Sequence, residues 1–398
     1  MKLTKTLYLM LCLWVGVSTL AGCIEEYEAD IPEDDSNLLV VEGAICSGKT
    51  NKFILSRTQP LNSTFSPGST PRMVTGATVS VRGSDGSEYR MQEAGGCYTC
   101  LIVDLAPDVD YYLHIETGGD VYESVPQKPI RTEAIEEVVA VQDTPESNID
   151  ILVTPAEPSE PTQPYYYSWT YDETWEVHPE YTTNLFYDTV EKKPVFKLYQ
   201  FPERGWKDMA SSTIMVGASQ NYEGQHIRRL KLYDIDRGSS RVYYRYSGLV
   251  HQRAISKAEY EYELARRQAS SEMGGLFTPQ PSALPTNIRC LTSKKHVIGF
   301  VGCALNTSEY RFFLSPDDFS IYHPRQPDAR IWIEDPSEAV CRQQVERGLY
   351  LCEWITPMNS PTGTLRTAWA YRSQLDVRSQ GAYIDEPPFW SLEANTSY

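Results

Sequence analysis

Apolar and polar positions alternate along most of this chain, and turn residues interrupt the alternation at short intervals. Leu38-Leu39-Val40-Val41 with Glu42-Gly43-Ala44-Ile45 predicts a first strand, and Asn51 to Arg57 predicts its partner across the turn Ser47-Gly48-Lys49-Thr50. Residues 58–72 read as a polar loop rich in Ser, Pro and Gly. Ala77 to Arg82 alternates cleanly, and Ser84-Asp85-Gly86-Ser87 turns the chain into Tyr89-Arg90-Met91. Tyr111 to Thr117, Gly118-Gly119-Asp120 and Val121 to Ser124 read as a further hairpin. Short strands at this spacing predict an immunoglobulin-like β-sandwich over residues 37–131.

Residues 132–398 predict a larger β-rich region, more aromatic than the first. Pro155, Pro158, Pro161 and Pro164 recur at three-residue intervals, which suits a polyproline II stretch and, more economically, a stiff loop between paired strands. From Tyr165 to His178 alternation puts Tyr167, Trp169, Tyr171, Trp175 and Val177 on one face, with Ser168, Thr170, Asp172, Thr174, Glu176 and His178 on the other. That aromatic face is either a stacking platform for sugars or a buried sheet face. Aromatics dominate cores, so core is the default. Ser256-Lys-Ala-Glu259 is a capping box that predicts one amphipathic helix through Ala258 to Ser270. The apolar run from His296 to Leu305 predicts a central strand buried on both faces.

The N-terminus changes the picture from fold to address. Lys2 and Lys5 precede an apolar stretch, Leu7 to Val17, too short to span a bilayer. Leu20-Ala21-Gly22-Cys23 closes it in the pattern a lipoprotein signal peptidase cleaves. The expectation is a signal peptide over residues 1–22 and a lipid anchor on Cys23, whose acyl chains hold a body that does not cross the membrane. Residues 24–36 contain Glu25, Glu26, Glu28, Asp30, Glu33, Asp34 and Asp35 and no basic residue, so residues 23–36 read as a solvated acidic tether. The whole chain carries 36 basic and 53 acidic residues, a net charge of −17. Such a balance argues against nucleic-acid binding and against polybasic adhesion to lipid.

Chemistry is sparse. Removing Cys12 with the signal and acylating Cys23 leaves Cys46, Cys97, Cys100, Cys290, Cys303, Cys341 and Cys352, an odd number. Cys97-Tyr-Thr-Cys100 has the spacing of half a zinc site, but no second pair completes one. Cys290 with Cys303 and Cys341 with Cys352 are disulfide candidates across neighbouring strands. The six histidines, His114, His178, His226, His251, His296 and His323, stand at no metal-ligand spacing, and no metal or cofactor is expected. Gly43 to Thr50 formally matches a phosphate loop, but a strand follows where a helix is required. Gly217-Ala-Ser219-Gln lacks the second glycine of a nucleophile elbow. Carboxylates are too abundant to single out a glycosidase pair. No catalytic residue emerges, and the expectation is a protein that is not an enzyme.

Several segments resemble one known family. Residues 37–57 contain an LVVEG-turn-strand-LSR opening, and Val74 to Val81 resembles the strand after it. Tyr165-Tyr166 to Trp175, Gly275-Leu276-Phe277-Thr-Pro279-Gln280-Pro281 with Asn287-Ile288, Val297 to Phe300, and Pro387-Pro388-Phe389-Trp390 continue the likeness. The family is the Bacteroidota outer-membrane lipoproteins known as domain of unknown function 4249. Thr286 departs from its usual glycine, and the cysteine-rich tail is thinned to Cys341 and Cys352. The resemblance implies a surface-exposed lipoprotein, its acidic tether resembling an export tag, that serves a TonB-dependent transporter as accessory or substrate-capture partner. The alternative is a structural part in outer-membrane assembly, secretion or adhesion. The ligand is unknown at this level.

Overall fold

The computed structural model describes residues 37–58, 72–158, 164–198, 200–271, 284–391 and 396–397. The signal peptide, Cys23, the acidic tether, Pro161 and the 275–281 block lie outside the described residues. The chain is mainly β, as the alternation predicts.

The first sandwich packs two sheets over one core. One sheet runs Val297–Gly299, Leu39–Glu42, Lys49–Arg57, Cys97–Ile102, Gln92–Ala94, with Arg72–Met73 beside Lys49–Arg57. The other runs Ile288–Cys290, Asp120–Ser124, Tyr111–Thr117, Thr78–Gly83, Glu88–Arg90. Strand alternation decides what enters the core: Leu39 and Val41 are buried while Glu42 is exposed, and Phe53 and Leu55 are buried while Lys52 is exposed. Val79, Val81, Leu113, Ile115 and Tyr122 face them from the second sheet. Each such buried side chain contributes about 1.5–3 kcal/mol.

Residues 288–304 return from the far end of the sequence to complete this sandwich. Ile288–Cys290 pairs with Asp120–Ser124, and Val297–Gly299 lies parallel to Leu39–Glu42. Gly302–Ala304 then pairs, also in parallel, with Ala44–Cys46. The predicted central strand over 296–305 is therefore two short strands, the first at a sheet edge. Gly299 is the reason for the break. Its φ is +140°, and a Cβ there would lie 2.3 Å from the Val41 carbonyl oxygen, so only glycine permits the approach.

The second sandwich places Gly205–Ala210, Tyr166–Val177, Tyr246–Ile255, Ser308–Leu314 and Thr396–Ser397 in one sheet, with Met215–Ala218 also on Tyr166–Val177. Ile135–Val141, Ile149–Pro155 and Leu230–Ile235 form the sheet opposite. Tyr167 and Trp169 are buried between them, so the aromatic face of that long strand is core. Its other face is covered too. Tyr166 packs with Val216, Ala218 and Ile255 under the helix Lys257–Ser271, whose Tyr260 ring lies 5.1 Å from that of Tyr166. The helix starts as predicted, with the Glu259 N–H donating to Ser256 Oγ at 3.1 Å.

A smaller third layer contains the sheet Ile331–Glu334, Arg366–Tyr371, Leu349–Ile355, the hairpin Leu185–Asp188/Lys193–Phe196 and the helix Glu338–Glu346. Among the described residues no helix is long and apolar enough to cross a membrane.

The disulfide expectation is corrected by this topology. All seven described cysteines are free. Cys290 lies in a strand paired with Asp120–Ser124, whereas the strand of Cys303 pairs with Ala44–Cys46. Cys341, on a helix, packs with Tyr187, Leu349 and Trp369, while Cys352 packs with Ala368, Ala370 and Leu375 in a separate cluster. Cys97 and Cys100 sit three apart on one strand, a spacing that turns their side chains to opposite faces.

Candidate functional site

Two concavities stand out, and they differ in chemistry. The first, of about 460 Å³, lies where the two sandwiches and the helix meet. Val41, Gly43, Cys46 and Lys49 line it from the first sandwich, and His251 and Arg253 from the second. Glu259, Tyr262, Glu263 and Arg266 reach it from the helix.

Its buried and half-buried charges, on Arg253, Glu259, Glu263 and Arg266, are committed to one another. Arg253 donates from Nη1 and Nη2 to the two Glu259 oxygens at 3.2 and 2.5 Å, and both side chains are largely buried, at 17% and 5% exposure. A planar guanidinium meeting a carboxylate with two parallel bonds is the geometry that best compensates lost hydration. The capping-box glutamate is thus spent on Arg253. Gly302 closes over the pair so tightly that a Cβ there would lie 2.1 Å from Glu259 Oε2. Arg266 holds Glu263 at 2.8 Å, yet burial pushes the Glu263 carboxyl above its usual range. Nearby, His251 is clamped between Glu309 through Nδ1 and Asp172 through Nε2, both at 2.9 Å. Burial opposes a charged ring there, but the two carboxylate hydrogen bonds outweigh it and lift His251 to about 9. The ring is therefore protonated at neutral pH with both N–H groups engaged, which leaves it no lone pair for base catalysis. This cluster is suited to locking the layers together.

The second concavity, of about 1050 Å³, opens where the second sandwich meets the third layer. His178 at the end of the aromatic strand, Trp206, the loop residues Gln200 and Arg204, Tyr244 and Glu386 are among its lining. His178 and Tyr244 stack in parallel, 3.8 Å apart at 9°. The Arg204 guanidinium sits 5.0 Å from the centre of the Trp206 ring and pairs with Glu386 at 2.6 Å.

The cysteine candidates build no site. Burial lifts the Cys303 and Cys352 thiols to about 12 and also raises Cys46 and Cys341. Against burial, hydrogen bonds with Ser293 and Thr292 lower the half-buried Cys290. Among the described residues no group of three His, Cys, Asp or Glu side chains could hold a metal ion. Gly43 to Thr50 forms a strand, a turn and a second strand, with no helix to receive a phosphate.

Sequence reasoning missed Glu173, which is 1% exposed in the second core. It accepts from Arg241 Nη1 at 2.6 Å and from the Tyr246 hydroxyl at 2.8 Å, and Tyr246 in turn meets Tyr233 at 2.7 Å. Burial raises its carboxyl pKa. Residue 173 shares the parity of Tyr171 and Trp175, so strand alternation alone places it inward.

The body is mainly β and built of packed sandwiches, an architecture that by itself fixes no function. This chain belongs to the family described as domain of unknown function (DUF4249), whose profile matches residues 24–310. None of the curated proteins compared matches it. Among solved structures, a two fibronectin type-III domain segment from chicken tenascin is similar at 13% identity, covering 55% of this chain and 90% of that one, with a TM-score of 0.15. A DUF4785 family protein from Legionella pneumophila is similar at 10% identity over 54% of this chain and 52% of that one, TM-score 0.17. A Salmonella alpha-2-macroglobulin mutant is similar at 10% identity over 58% of this chain and 14% of that one, TM-score 0.16. Scores this low carry no argument about the site.

Proposed function

We propose that this protein is a lipid-anchored outer-membrane protein facing the cell exterior, acting without catalysis as an accessory or substrate-capture partner of a TonB-dependent transporter. One observation carries the reading: Leu20-Ala21-Gly22-Cys23 followed at once by an acidic stretch, ahead of a β body whose first described strand is Leu39–Glu42. Acyl chains on Cys23 supply about 0.8 kcal/mol per buried CH₂, so several chains give stable anchoring. The paired charges between the sandwiches favour holding over reacting.

Affinity capture of the tagged protein from detergent-solubilised outer membranes tests the partnership. A β-barrel transporter is expected to come down with it, and repeated recovery of the protein alone removes the transporter from the proposal. For the anchor, Cys23→Ala is expected to leave the protein unlipidated and in the soluble fraction. Unchanged membrane fractionation of that variant counts against the anchor.

A further inference from the structure

We infer that the 1050 Å³ concavity between the second sandwich and the third layer is a binding site for a neutral saccharide. The inference names a ligand class for the capture role proposed above and rests on that reading only for its biological setting.

Three features of the lining define the ligand. The first is a stacking surface. Tyr244 has one face covered by the His178 imidazole and remains 39% exposed, which offers ring C–H groups an aromatic plane. The second is a pair of buried polar atoms without partners: Trp206 Nε1, a donor only, and Gln200 Oε1, an acceptor. Trp206 is 2% exposed, and a buried N–H left unmade is costly enough that proteins rarely keep one without reason. Each sugar hydroxyl both donates and accepts, so a polyol could answer Trp206 and Gln200 with one kind of group once the side chains covering these two atoms shift aside. The third is charge. Arg204 is paired with Glu386, and Arg378 donates Nε and Nη2 to Asp376 at 2.9 Å each. His178 is likewise held by Glu176 at 2.6 Å. Both guanidinium groups at the mouth already have an anion, and Glu203 adds an exposed carboxylate to the lining, so the site offers nothing that calls for an anionic ligand. The Arg204–Glu386 pair still presents a donor and an acceptor side by side, an arrangement that matches neighbouring ring hydroxyls.

The loop before Gly205–Ala210, the end of the aromatic strand, the segment around Tyr244 and the C-terminal stretch with Glu386 all converge here. A surface hollow made by one loop would lack that construction.

The test uses the purified full chain in a detergent without a sugar headgroup. Cellohexaose, xylohexaose, mannohexaose and maltohexaose are titrated against it by calorimetry and tryptophan fluorescence, with a tryptic casein digest as the peptide control. At least one hexasaccharide is expected to saturate. Tyr244→Ala should weaken it at least tenfold, and Trp206→Phe, which keeps a ring but removes the N–H, should weaken it severalfold. The exposed Tyr244 variant keeps the test valid if Trp206→Phe fails to fold. Binding by none of the four, binding indifferent to Tyr244→Ala, or saturation by casein peptides alone overturns the inference. Sugar binding with no transporter recovered leaves this site standing and removes the partnership; the reverse result does the opposite.

Discussion

His251 gives the most direct physical handle on how the layers are held. Its folded-state value of about 9 stands above the ordinary 6.5, so between those pH values the folded chain binds a proton the unfolded chain has released. Stability therefore falls with rising pH across that window, because the slope follows the difference in bound protons. The contribution is complete below about pH 6.5 and lost as pH rises through about 9. A shift of this size corresponds to about 3 kcal/mol at 1.36 kcal/mol per unit. Asp172 and Glu309 are 52% and 39% exposed, so water screens the clamp and about 1–2 kcal/mol is the realistic gain. Urea unfolding followed by tryptophan fluorescence, compared between the native chain and His251→Gln, isolates the effect because glutamine does not titrate. The gap between the two should be widest just below about pH 6.5, shrink through neutral pH and close above about pH 9. A gap that stays level or widens with pH refutes the assignment of charge to His251.

Other outcomes follow from geometry. Arg253→Met should cost about 3–5 kcal/mol, because it strands the buried Glu259 carboxylate, whereas Arg253→Met with Glu259→Met should recover most of it. Chemical denaturation of both variants checks this, and equal losses in the single and double variants count against it. Gly299→Ala should lower the melting temperature by several degrees, through a clash with the Val41 carbonyl that nothing nearby can relieve; an unchanged melting curve contradicts the strain. A non-reducing tryptic digest should contain neither a Cys290–Cys303 nor a Cys341–Cys352 linked peptide, and mass spectrometry finding either one shows the topology argument to be wrong.

Local signals made the strands legible. Alternation with glycine turns placed the pairing of Leu39–Glu42 with Lys49–Arg57, the hairpin at Gly118-Gly119 and the long aromatic strand, because each depends on residues close in sequence. Ser256 and Glu259 announced the helix for the same reason. What stayed hidden is non-local. Nothing in residues 288–304 says that they pair with strands about 170 and about 260 residues earlier, since a parallel edge needs only apolar β-formers and Val297-Ile298-Gly299 supplies those equally to a central strand. The burial of Tyr166 was obscured because its cover is a helix contributed by a later segment. The cavity at Trp206 and Tyr244 escaped detection because its parts are scattered from His178 to Glu386 and match no spacing rule.

The late return of residues 288–304 has a consequence for how the molecule comes into being. As the chain emerges amino end first, the earliest layer must wait, two edges unfilled, until nearly three-quarters of the protein has been made and delivered. A fragment ending near residue 131 lacks the strands that finish its own sheets, so maturation is gated by the carboxyl half and the halves should melt as one body. The proposed export would suit such a thread, because the latecoming strands close the first layer only once most of the chain is present.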